Sequence, residues 1–164
     1  MKAIVQRVRG KTSIQSTWDS RSEEHSFEGP GLVVLLAWEK CDEERVDLEK
    51  KQSWLIERIE GLRVFPDQEG KMNLSLSDYQ SQNNLSEAGI LWVSQFTLAA
   101  ELKSGFRPSF TKAMNPNIAR ESFEELQRKL SLKNPSYTQI FGRFAAEMQL
   151  SFCNWGPVTI PLSV

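Results

Sequence analysis

The stretch that most constrains this chain is residues 90–100, ILWVSQFTLAA, where an apolar run ends abruptly in polar side chains. Residues 90–93 have the length and composition of a strand that is buried on both faces. The next four residues place polar groups around one aromatic ring: Ser94, Gln95, Phe96 and Thr97. Since polar side chains at the end of a buried strand are typical of a binding surface, we expect this strand end to line a site.

A Gly-Pro pair near the C-terminus is the second informative feature. Gly156 and Pro157 interrupt two β-like runs, residues 148–153 and residues 158–162. A turn between two strands would explain the pair, and only about one X-Pro bond in twenty is cis in folded proteins, so the dipeptide alone leaves the bond geometry open. Because proline cannot donate a hydrogen bond inside a ladder, we expect this segment to lie at a sheet edge or to project from the sheet.

Length and composition indicate one ordinary globular domain over residues 1–164. The chain is 40% hydrophobic and 25% charged, with neither a long apolar run nor a signal-like start, so we expect a cytoplasmic protein without a membrane partner. Cys41 and Cys153 lack a CxxC spacing, which predicts two reduced thiols. A net charge of -1 argues against a protein that coats long nucleic acid, although it allows a short contact with an RNA end.

Hydrophobic periodicity predicts strands in three groups separated by two helices. The strands are predicted over residues 2–9, 12–17, 32–38, 62–65, 72–76, 90–93, 137–144, 148–153 and 158–162. The first helix is predicted over residues 42–61, with Asp42 as its N-cap and Gly61 as its end, and the second begins at Asn115 and Pro116. This order indicates a mixed sheet with two helices packed on it.

Several polar segments connect these elements. Residues 18–28 are predicted as a loop or a ragged hairpin, residues 77–89 as a polar loop, and turn residues occur at Ser104 and Asn134. Arg7 shares a strand face with apolar neighbours, so it is either an edge residue whose charge reaches solvent or a buried donor to a backbone carbonyl. Three basic residues make the stretch 100–112 either a solvated loop or a surface that meets an anion: Lys103, Arg107 and Lys112.

Familiar catalytic motifs are absent from the sequence. It contains no GxGxxG, GxxxxGK[ST], HExxH or GxSxG. His25 is the one histidine and lies in a polar segment without a second candidate base or ligand, so Ser94 or Thr97 would lack an obvious base as a nucleophile. Backbone N–H groups beside the polar strand end are able to stabilise a developing oxyanion, and losing one such donor typically costs about a hundredfold in rate.

SQFTLAA at residues 94–100 and NWGPVT at residues 154–159 resemble the two signature motifs of the D-aminoacyl-tRNA deacylases, also called D-tyrosyl-tRNA deacylases. Five more segments resemble blocks of this family in the same order: MKAIVQRV, GLVVLLAWEKCD, LRVFPDQEGKMNLSL, RPSF and GRFAAEMQ. The resemblance covers nearly the whole chain, and several long motifs in register are more specific than any single pattern. The chain is therefore identified as a member of this family.

The resemblance implies a homodimeric α/β protein, with mixed β-sheets forming a barrel-like core and two main helices packed on it. It implies hydrolysis of the ester between a D-amino acid and the 3′ end of tRNA, and of glycyl-tRNA mischarged on tRNA-Ala, with no metal or cofactor and no DNA as partner. In this family the Gly-Pro bond is cis and reaches into the partner subunit's active site, a role that falls on Gly156 and Pro157. Such a backbone wall excludes an L side chain by steric contact.

The resemblance also implies roles for other residues. The catalytic floor of the pocket consists of Ser94, Gln95, Phe96 and Thr97, with backbone amides near Phe96 as oxyanion donors. Thr97 is either a nucleophile or, as the missing base leads us to prefer, an assisting group beside a water that the terminal 2′-OH of the tRNA helps to activate. Arg7 fixes the Gly-Pro loop, and Met148 in GRFAAEMQ binds substrate near the terminal adenosine.

Two departures from the family pattern and two other classes of function bear on this interpretation. Ala145 stands where glycine is common, and Trp155 replaces a small or acidic residue before Gly156. The chain could instead be a nucleic-acid-binding accessory protein of the same fold without turnover, which salt-dependent binding of RNA or DNA without hydrolysis would indicate. A plain dimeric scaffold is the third alternative, and it leaves the polar strand end unexplained.

Overall fold

The computed structural model describes residues 1–43, 45–103, 105–133 and 135–164, so the turn residues Ser104 and Asn134 lie outside it. The strands are β1 (Lys2–Trp18), β2 (Arg21–Phe27), β3 (Gly31–Ala37), β4 (Phe65–Pro66), β5 (Met72–Leu74), β6 (Gly89–Ser94), β7 (Thr138–Phe141) and β8 (Glu147–Ser163). The helices are α1 (Arg45–Glu60), α2 (Leu76–Gln82) and α3 (Pro116–Leu132), and short 3₁₀ turns cover Lys40–Asp42 and Phe96–Ala99.

The long strands β1 and β8 run antiparallel and organise the sheet. The first half of β1 pairs with β3, its second half pairs with β2, and β8 pairs with both halves. The prediction of two separate strands, over residues 2–9 and 12–17, is wrong because β1 continues through a bulge near Gly10, after which pairing with β8 resumes at Ser13. The polar segment 18–28 forms a hairpin, the second of the two predicted alternatives, because β2 pairs with β1.

Strands β3, β6 and β7 are parallel and form the centre of the sheet. The prediction that residues 90–93 are buried on both faces is confirmed. Ile90 and Trp92 belong to the core beneath the helices, whereas Leu91 and Val93 belong to a second core that the curved sheet encloses. Because β7 also contacts β2, the sheet closes most of the way into a barrel, and the predicted mixed α/β fold is confirmed.

Helices α1 and α3 cover the outer face of the sheet, as predicted. Their apolar faces enter one core, which includes Leu55, Ile59, Phe123 and Leu126. Helix α3 begins with Asn115, whose side chain accepts a hydrogen bond from the N–H of Asn117, and with Pro116 in its first turn. Helix α1 ends at Glu60, immediately before the predicted stop at Gly61. No helix among the described residues combines the length and apolar character needed to cross a membrane.

Asp42 does not cap α1, contrary to the prediction. It closes the preceding 3₁₀ turn, and α1 begins later, at Arg45. The buried Asp42 carboxylate lies 2.7 Å from the amino group of Met1 and 2.9 Å from Lys51. It also accepts a hydrogen bond of 2.9 Å from the N–H of Glu39, so its lone pairs are occupied by the turn and by two cations.

The segment 77–89, predicted as a polar loop, contains most of helix α2. Ser75 begins this helix with a reciprocal capping box, in which its hydroxyl accepts from the N–H of Asp78 and the Asp78 carboxylate accepts from the N–H of Ser75. Hydrophobic periodicity failed here because α2 is short and mostly polar. The neighbouring strands β4 and β5 are also shorter than the predicted segments 62–65 and 72–76, and β4 extends one residue further, to Pro66.

Candidate active site

A cavity of about 510 Å³ lies at the carboxyl ends of the parallel strands β3 and β6. The start of α3 and the connection between β7 and β8 complete its wall. The wall is mainly apolar and includes Leu36, Trp38, Val93, Met114, Phe144 and Leu150. Ligands of α/β proteins usually bind at this end of parallel strands, because the connections there leave open space.

The cavity brings together part of the predicted site. Its lining includes Ser94, Gln95, Phe96 and Met148. Ser94 ends β6 and Phe96 begins the 3₁₀ turn, so the change from strand to turn sets polar groups at the cavity's edge. The Phe96 ring is 58% exposed, whereas Ser94 and Gln95 are half-buried. Thr97 is exposed and is not part of the lining.

Backbone hydrogen bonds fix the polar end of β6. The N–H of Gln95 donates to the carbonyl of Leu36 at 2.6 Å, which continues the pairing of β6 with β3. The chain then tightens into the turn Phe96–Ala99, where the carbonyl of Gln95 accepts a bond of 3.2 Å. The first N–H groups of a helical turn have no acceptor inside it. The N–H groups of Phe96 and Thr97 therefore have no acceptor within this turn.

The Thr97 hydroxyl is engaged within the same motif. It accepts a hydrogen bond from the side-chain amide of Gln95. The one histidine of the chain, His25, lies on β2, where its Nε2 atom is 3.9 Å from the Glu23 carboxylate. His25 is thus paired with Glu23, whereas the hydrogen bond of the Thr97 hydroxyl is to Gln95.

The connection between β7 and β8 shapes the opposite wall. A Cβ atom added to Gly142 would lie 2.7 Å from the sulfur of Met148, so the glycine makes room for that side chain. Ala145 has a φ of 61°, in the left-handed region that favours glycine. Glycine adopts this backbone conformation without strain, which fits the glycine that the resemblance implies at this position.

Arg7 lies in a second cluster, outside the cavity lining. Its side chain is only 8% exposed. Its Nε atom donates to the carbonyl of Trp155 at 2.9 Å, and its Nη1 atom donates to the carbonyl of Val64. Arg7 is therefore a buried donor to backbone carbonyls, one of the two predicted alternatives. Burial lowers the pKa of Arg7, but a guanidinium still keeps its proton at neutral pH.

Gly156 and Pro157 project from β8 as a bulge, and the peptide bond between them is cis. The ladder between β8 and β1 stops at Asn154 and resumes at Thr159. Both residues of the pair are exposed and neither lines the cavity of its own chain. The expectation that this segment lies at a sheet edge or projects from the sheet is confirmed, because β8 pairs with β1 alone and the ladder is interrupted here.

Local contacts specify the shape of this bulge. The Asn154 side chain accepts from the N–H of Val158 at 3.2 Å and donates to the hydroxyl of Thr159 at 3.2 Å. Gly156 has a φ of 132°, and a Cβ atom there would lie 2.9 Å from an Arg7 nitrogen. The position therefore requires glycine.

The profile of the family described as "D-Tyr-tRNA(Tyr) deacylase" matches residues 4–163. The chain belongs to this family. A relative from Klebsiella pneumoniae, named D-aminoacyl-tRNA deacylase, is 42% identical over 166 residues, and a relative of the same name from Haemophilus influenzae is 40% identical over 164 residues. Both alignments cover 100% of this chain and 100% of the relative.

Two solved structures share the fold of this family member. One, titled "c-Myc DNA Unwinding Element Binding Protein", has a TM-score of 0.78 at 34% identity and covers 100% of this chain and 99% of the other. The second, titled as a probable eukaryotic D-amino acid tRNA deacylase, has a TM-score of 0.72 at 14% identity over 100% of both chains. These findings confirm the resemblance read from the sequence.

The sequence analysis missed several residues that line the cavity of this deacylase-family chain. These are mostly apolar and include Trp38, Met114, Pro116 and Ala119. The parallel pairing of β3 with β6 would have indicated Trp38, because both strands end at the same edge. The start of α3 reaches the cavity through tertiary packing, which no local pattern reports. Among the described residues, no group of three or more His, Cys, Asp and Glu side chains could hold a metal ion.

Proposed function

We propose that this protein hydrolyses the ester that joins a D-amino acid to the 3′ end of a tRNA. The observation that carries this proposal is the SQFT strand end at the edge of an apolar cavity, in a chain of the D-Tyr-tRNA(Tyr) deacylase family. The names of the relatives from Klebsiella pneumoniae and Haemophilus influenzae support the same activity. The cavity volume of about 510 Å³ lies in the range typical of small-molecule sites, which suits a terminal nucleoside with its ester.

The chemistry uses backbone donors and the substrate's own hydroxyl. Water attacks the ester carbonyl, and the N–H groups of Phe96 and Thr97 stabilise the oxyanion that forms. The terminal 2′-OH of the tRNA helps to orient and activate this water. The bond between the carbonyl carbon and the ribose oxygen then breaks, the ribose oxygen takes a proton, and free D-amino acid and tRNA leave.

Chirality is selected by the bulge of a second subunit. In the proposed homodimer, Gly156 and Pro157 of one subunit enter the cavity of the other, where their carbonyl oxygens receive the α-ammonium group. The exposure of both residues outside their own cavity supports this arrangement. A backbone wall at the α-carbon excludes an L side chain by steric contact and admits glycine. A tRNA-Ala that has been wrongly charged with glycine is therefore a second substrate.

The test is a paired deacylation time course with D-Tyr-tRNA and L-Tyr-tRNA, in a chelator, at enzyme concentrations far below substrate. We expect rapid loss of the D ester while the L ester stays intact. Loss of both esters at equal rates would show that the protein does not select between D- and L-esters. If a folded dimer cleaves neither ester, the deacylase proposal fails.

A nucleic-acid-binding role without turnover is the second candidate. The similarity to the structure titled "c-Myc DNA Unwinding Element Binding Protein", at 34% identity, favours it. Under this alternative, the protein binds uncharged RNA or DNA with an affinity that falls with salt, and D-Tyr-tRNA is not consumed.

A further inference from the structure

The loop formed by residues 101–103 and 105–112 lies beside the cavity. It follows the turn Phe96–Ala99, and two backbone hydrogen bonds of 2.9 Å between Glu101 and Ser109 close its base. Phe110 packs edge-to-face against Phe96, with ring centroids 5.0 Å apart. Since Phe96 lines the cavity, this ring pair joins the loop directly to the cavity's edge.

The loop carries more positive than negative charge. The Glu101 carboxylate lies 3.1 Å from the amino group of Lys103 and 2.7 Å from that of Lys112. Arg107 adds a third cation near the tip. Three cations against one carboxylate leave a net positive surface, although the whole chain has a net charge of -1.

The same loop carries an aromatic side chain that is fully exposed to solvent. Phe106 has a relative exposure of 103%, and Leu102 is 67% exposed. Gly105, beside Phe106, has a φ of 73°, which turns the chain at the tip. A fully exposed ring contributes nothing to the folded core, and exposed apolar groups of this kind mark contact surfaces.

We propose that this loop holds the single-stranded nucleotides that precede the terminal adenosine of the tRNA. The inference rests on the proposed deacylase function, which puts that adenosine in the adjoining cavity. Proteins hold single-stranded RNA by stacking aromatic rings on bases and by placing Lys and Arg near phosphates. Phe106 stacks on a base, while Arg107 and Lys103 meet the phosphates on either side.

Two substrates of different length separate this role from a role in the cavity. D-Tyr-tRNA carries the preceding nucleotides, whereas D-tyrosyl-adenosine, esterified at the 3′ oxygen, does not. We expect Phe106→Ala to raise the KM for D-Tyr-tRNA by about five- to a hundredfold, the range of measured stacking losses. The same variant should hydrolyse D-tyrosyl-adenosine at the wild-type rate. Leu132→Ala, which truncates another exposed side chain (75%), is the matched control and should change neither value.

The salt dependence of tRNA binding tests the proposed contacts between the cations of the loop and the phosphates of the tRNA. Titration of uncharged tRNA gives the Kd without any need for hydrolysis. Arg107→Gln should reduce the slope of log Kd against log salt by roughly 0.7, as expected for one lost contact to single-stranded nucleic acid. Lys71→Gln removes an exposed cation from the turn between β4 and β5 and should leave the slope unchanged.

Each remaining outcome has a definite meaning. Equal effects of Phe106→Ala on both substrates, or none on either, overturn the proposal. Conversion of a dimer into monomers by Phe106→Ala, seen by sedimentation, would show that a second copy of the chain covers the ring and would also overturn it. If neither ester is cleaved by the wild type, the deacylase proposal fails, but dependence of the tRNA Kd on Phe106 and Arg107 would still support the loop as an RNA contact.

Discussion

The Thr97 hydroxyl is held by a side chain of its own motif rather than by a base. It accepts a hydrogen bond from the Gln95 side chain. A threonine nucleophile needs a neighbouring base, and His25, the one histidine of the chain, lies on β2. In the proposed mechanism, Thr97 therefore holds Gln95 in position instead of acting as the nucleophile.

Thr97→Ala is expected to keep a measurable fraction of activity. A hydrogen bond between uncharged groups contributes about 1 kcal/mol, so its loss should lower the single-turnover rate with D-Tyr-tRNA about fivefold. Thr97→Ser, which keeps the hydroxyl, should remain near the wild-type rate. Complete loss of activity in a folded Thr97→Ala protein would instead identify the hydroxyl as the nucleophile.

The sequence predicted the surroundings of some site residues better than those of others. Ser94 and Gln95 were predictable, because a polar end on a buried strand must face an opening. The inward face of Arg7 followed from strand alternation, but its acceptors are the carbonyls of Trp155 and Val64, far away in sequence. No local pattern reports such partners, so the sequence analysis left two alternatives for Arg7.

At the scale of elements, short polar segments are where periodicity fails. Helix α2 has too few apolar residues to show a helical repeat, and its one sequence signal is the capping box of Ser75 and Asp78. In β1, two separate strands were predicted over residues 2–9 and 12–17, but pairing with β8 on both sides of a bulge joins them into one strand. Tertiary hydrogen bonding thus decides both the continuity and the length of these elements.

Trp155 anchors the bulge of β8 to the body of the protein. Its ring lies 4.4 Å from the Arg7 guanidinium, 6.3 Å from the Phe65 ring and 6.0 Å from the Tyr79 ring, measured to centroids. Its carbonyl also accepts the 2.9 Å bond from Arg7. These contacts immediately precede Gly156, so they fix the direction in which the bulge leaves the sheet.

Trp155→Ala is expected to weaken chiral selection more than hydrolysis. Cation–π contacts contribute about 0.5–2 kcal/mol, so a looser bulge should lower the ratio of D-ester to L-ester kcat/KM roughly tenfold. Trp155→Phe, which keeps a ring over Arg7, should restore most of the ratio. A folded Trp155→Ala protein with an unchanged ratio would contradict this role.

Mixed dimers test whether the bulge acts on the cavity of its own subunit or on the cavity of its partner. A Trp155→Ala subunit is paired with a Ser94→Trp subunit, whose cavity is blocked but whose bulge is intact. Only the Trp155→Ala subunit then has an open cavity. If the bulge acts across the dimer, that cavity receives the intact bulge and the D/L ratio returns to the wild-type value. A ratio that stays low would mean that the bulge acts within its own subunit.

At the scale of the whole molecule, one buried carboxylate joins the chain's first residue to its first helix. The Asp42 side chain is fully buried between the amino group of Met1 and Lys51 of α1. Burial alone would raise the pKa of Asp42. The hydrogen bonds from the Met1 amino group, the Glu39 N–H and Lys51 together outweigh burial and hold that pKa below its usual value.

Asp42→Asn is expected to lower the free energy of unfolding at neutral pH by about 3–5 kcal/mol, because it leaves the buried amino group of Met1 and the partly exposed Lys51 without their counter-charge. Since the folded-state pKa is lowered, the carboxylate stabilises the protein above the unfolded-state value of about 3.9 and loses that effect as pH falls through the lower folded-state pKa. Urea unfolding from neutral pH down to about pH 2 should therefore show the difference between wild type and variant shrinking only below about pH 4.

Asp19→Asn is the matched control, because Asp19 is exposed in the turn between β1 and β2. It should change the unfolding free energy little at any pH, as surface substitutions usually do. A difference between wild type and Asp42→Asn that stays constant on acidification would show that the ion pairs do not cause the destabilisation.

The overall class of fold was predictable, but the curvature of the sheet was not. Buried runs such as residues 90–93 and the helix start at Asn115 are strong local signals. The near closure of the barrel depends on contact between β2 and β7, which are separated by more than half of the chain. Such closure arises from the twist of the whole sheet, and family resemblance rather than periodicity supplied it.

The bulge over residues 155–158 sits between two ladders that are each paired independently with β1. A residue added to or removed from this segment leaves the pairing of Asn154 and Thr159 intact, because the bulged residues take no part in either register. The strand register therefore does not set the length of this projection, although the hydrogen bonds of Asn154 set its present shape. A change in the length of this segment should therefore change how far the Gly156–Pro157 projection extends from the sheet while both ladders with β1 keep their register.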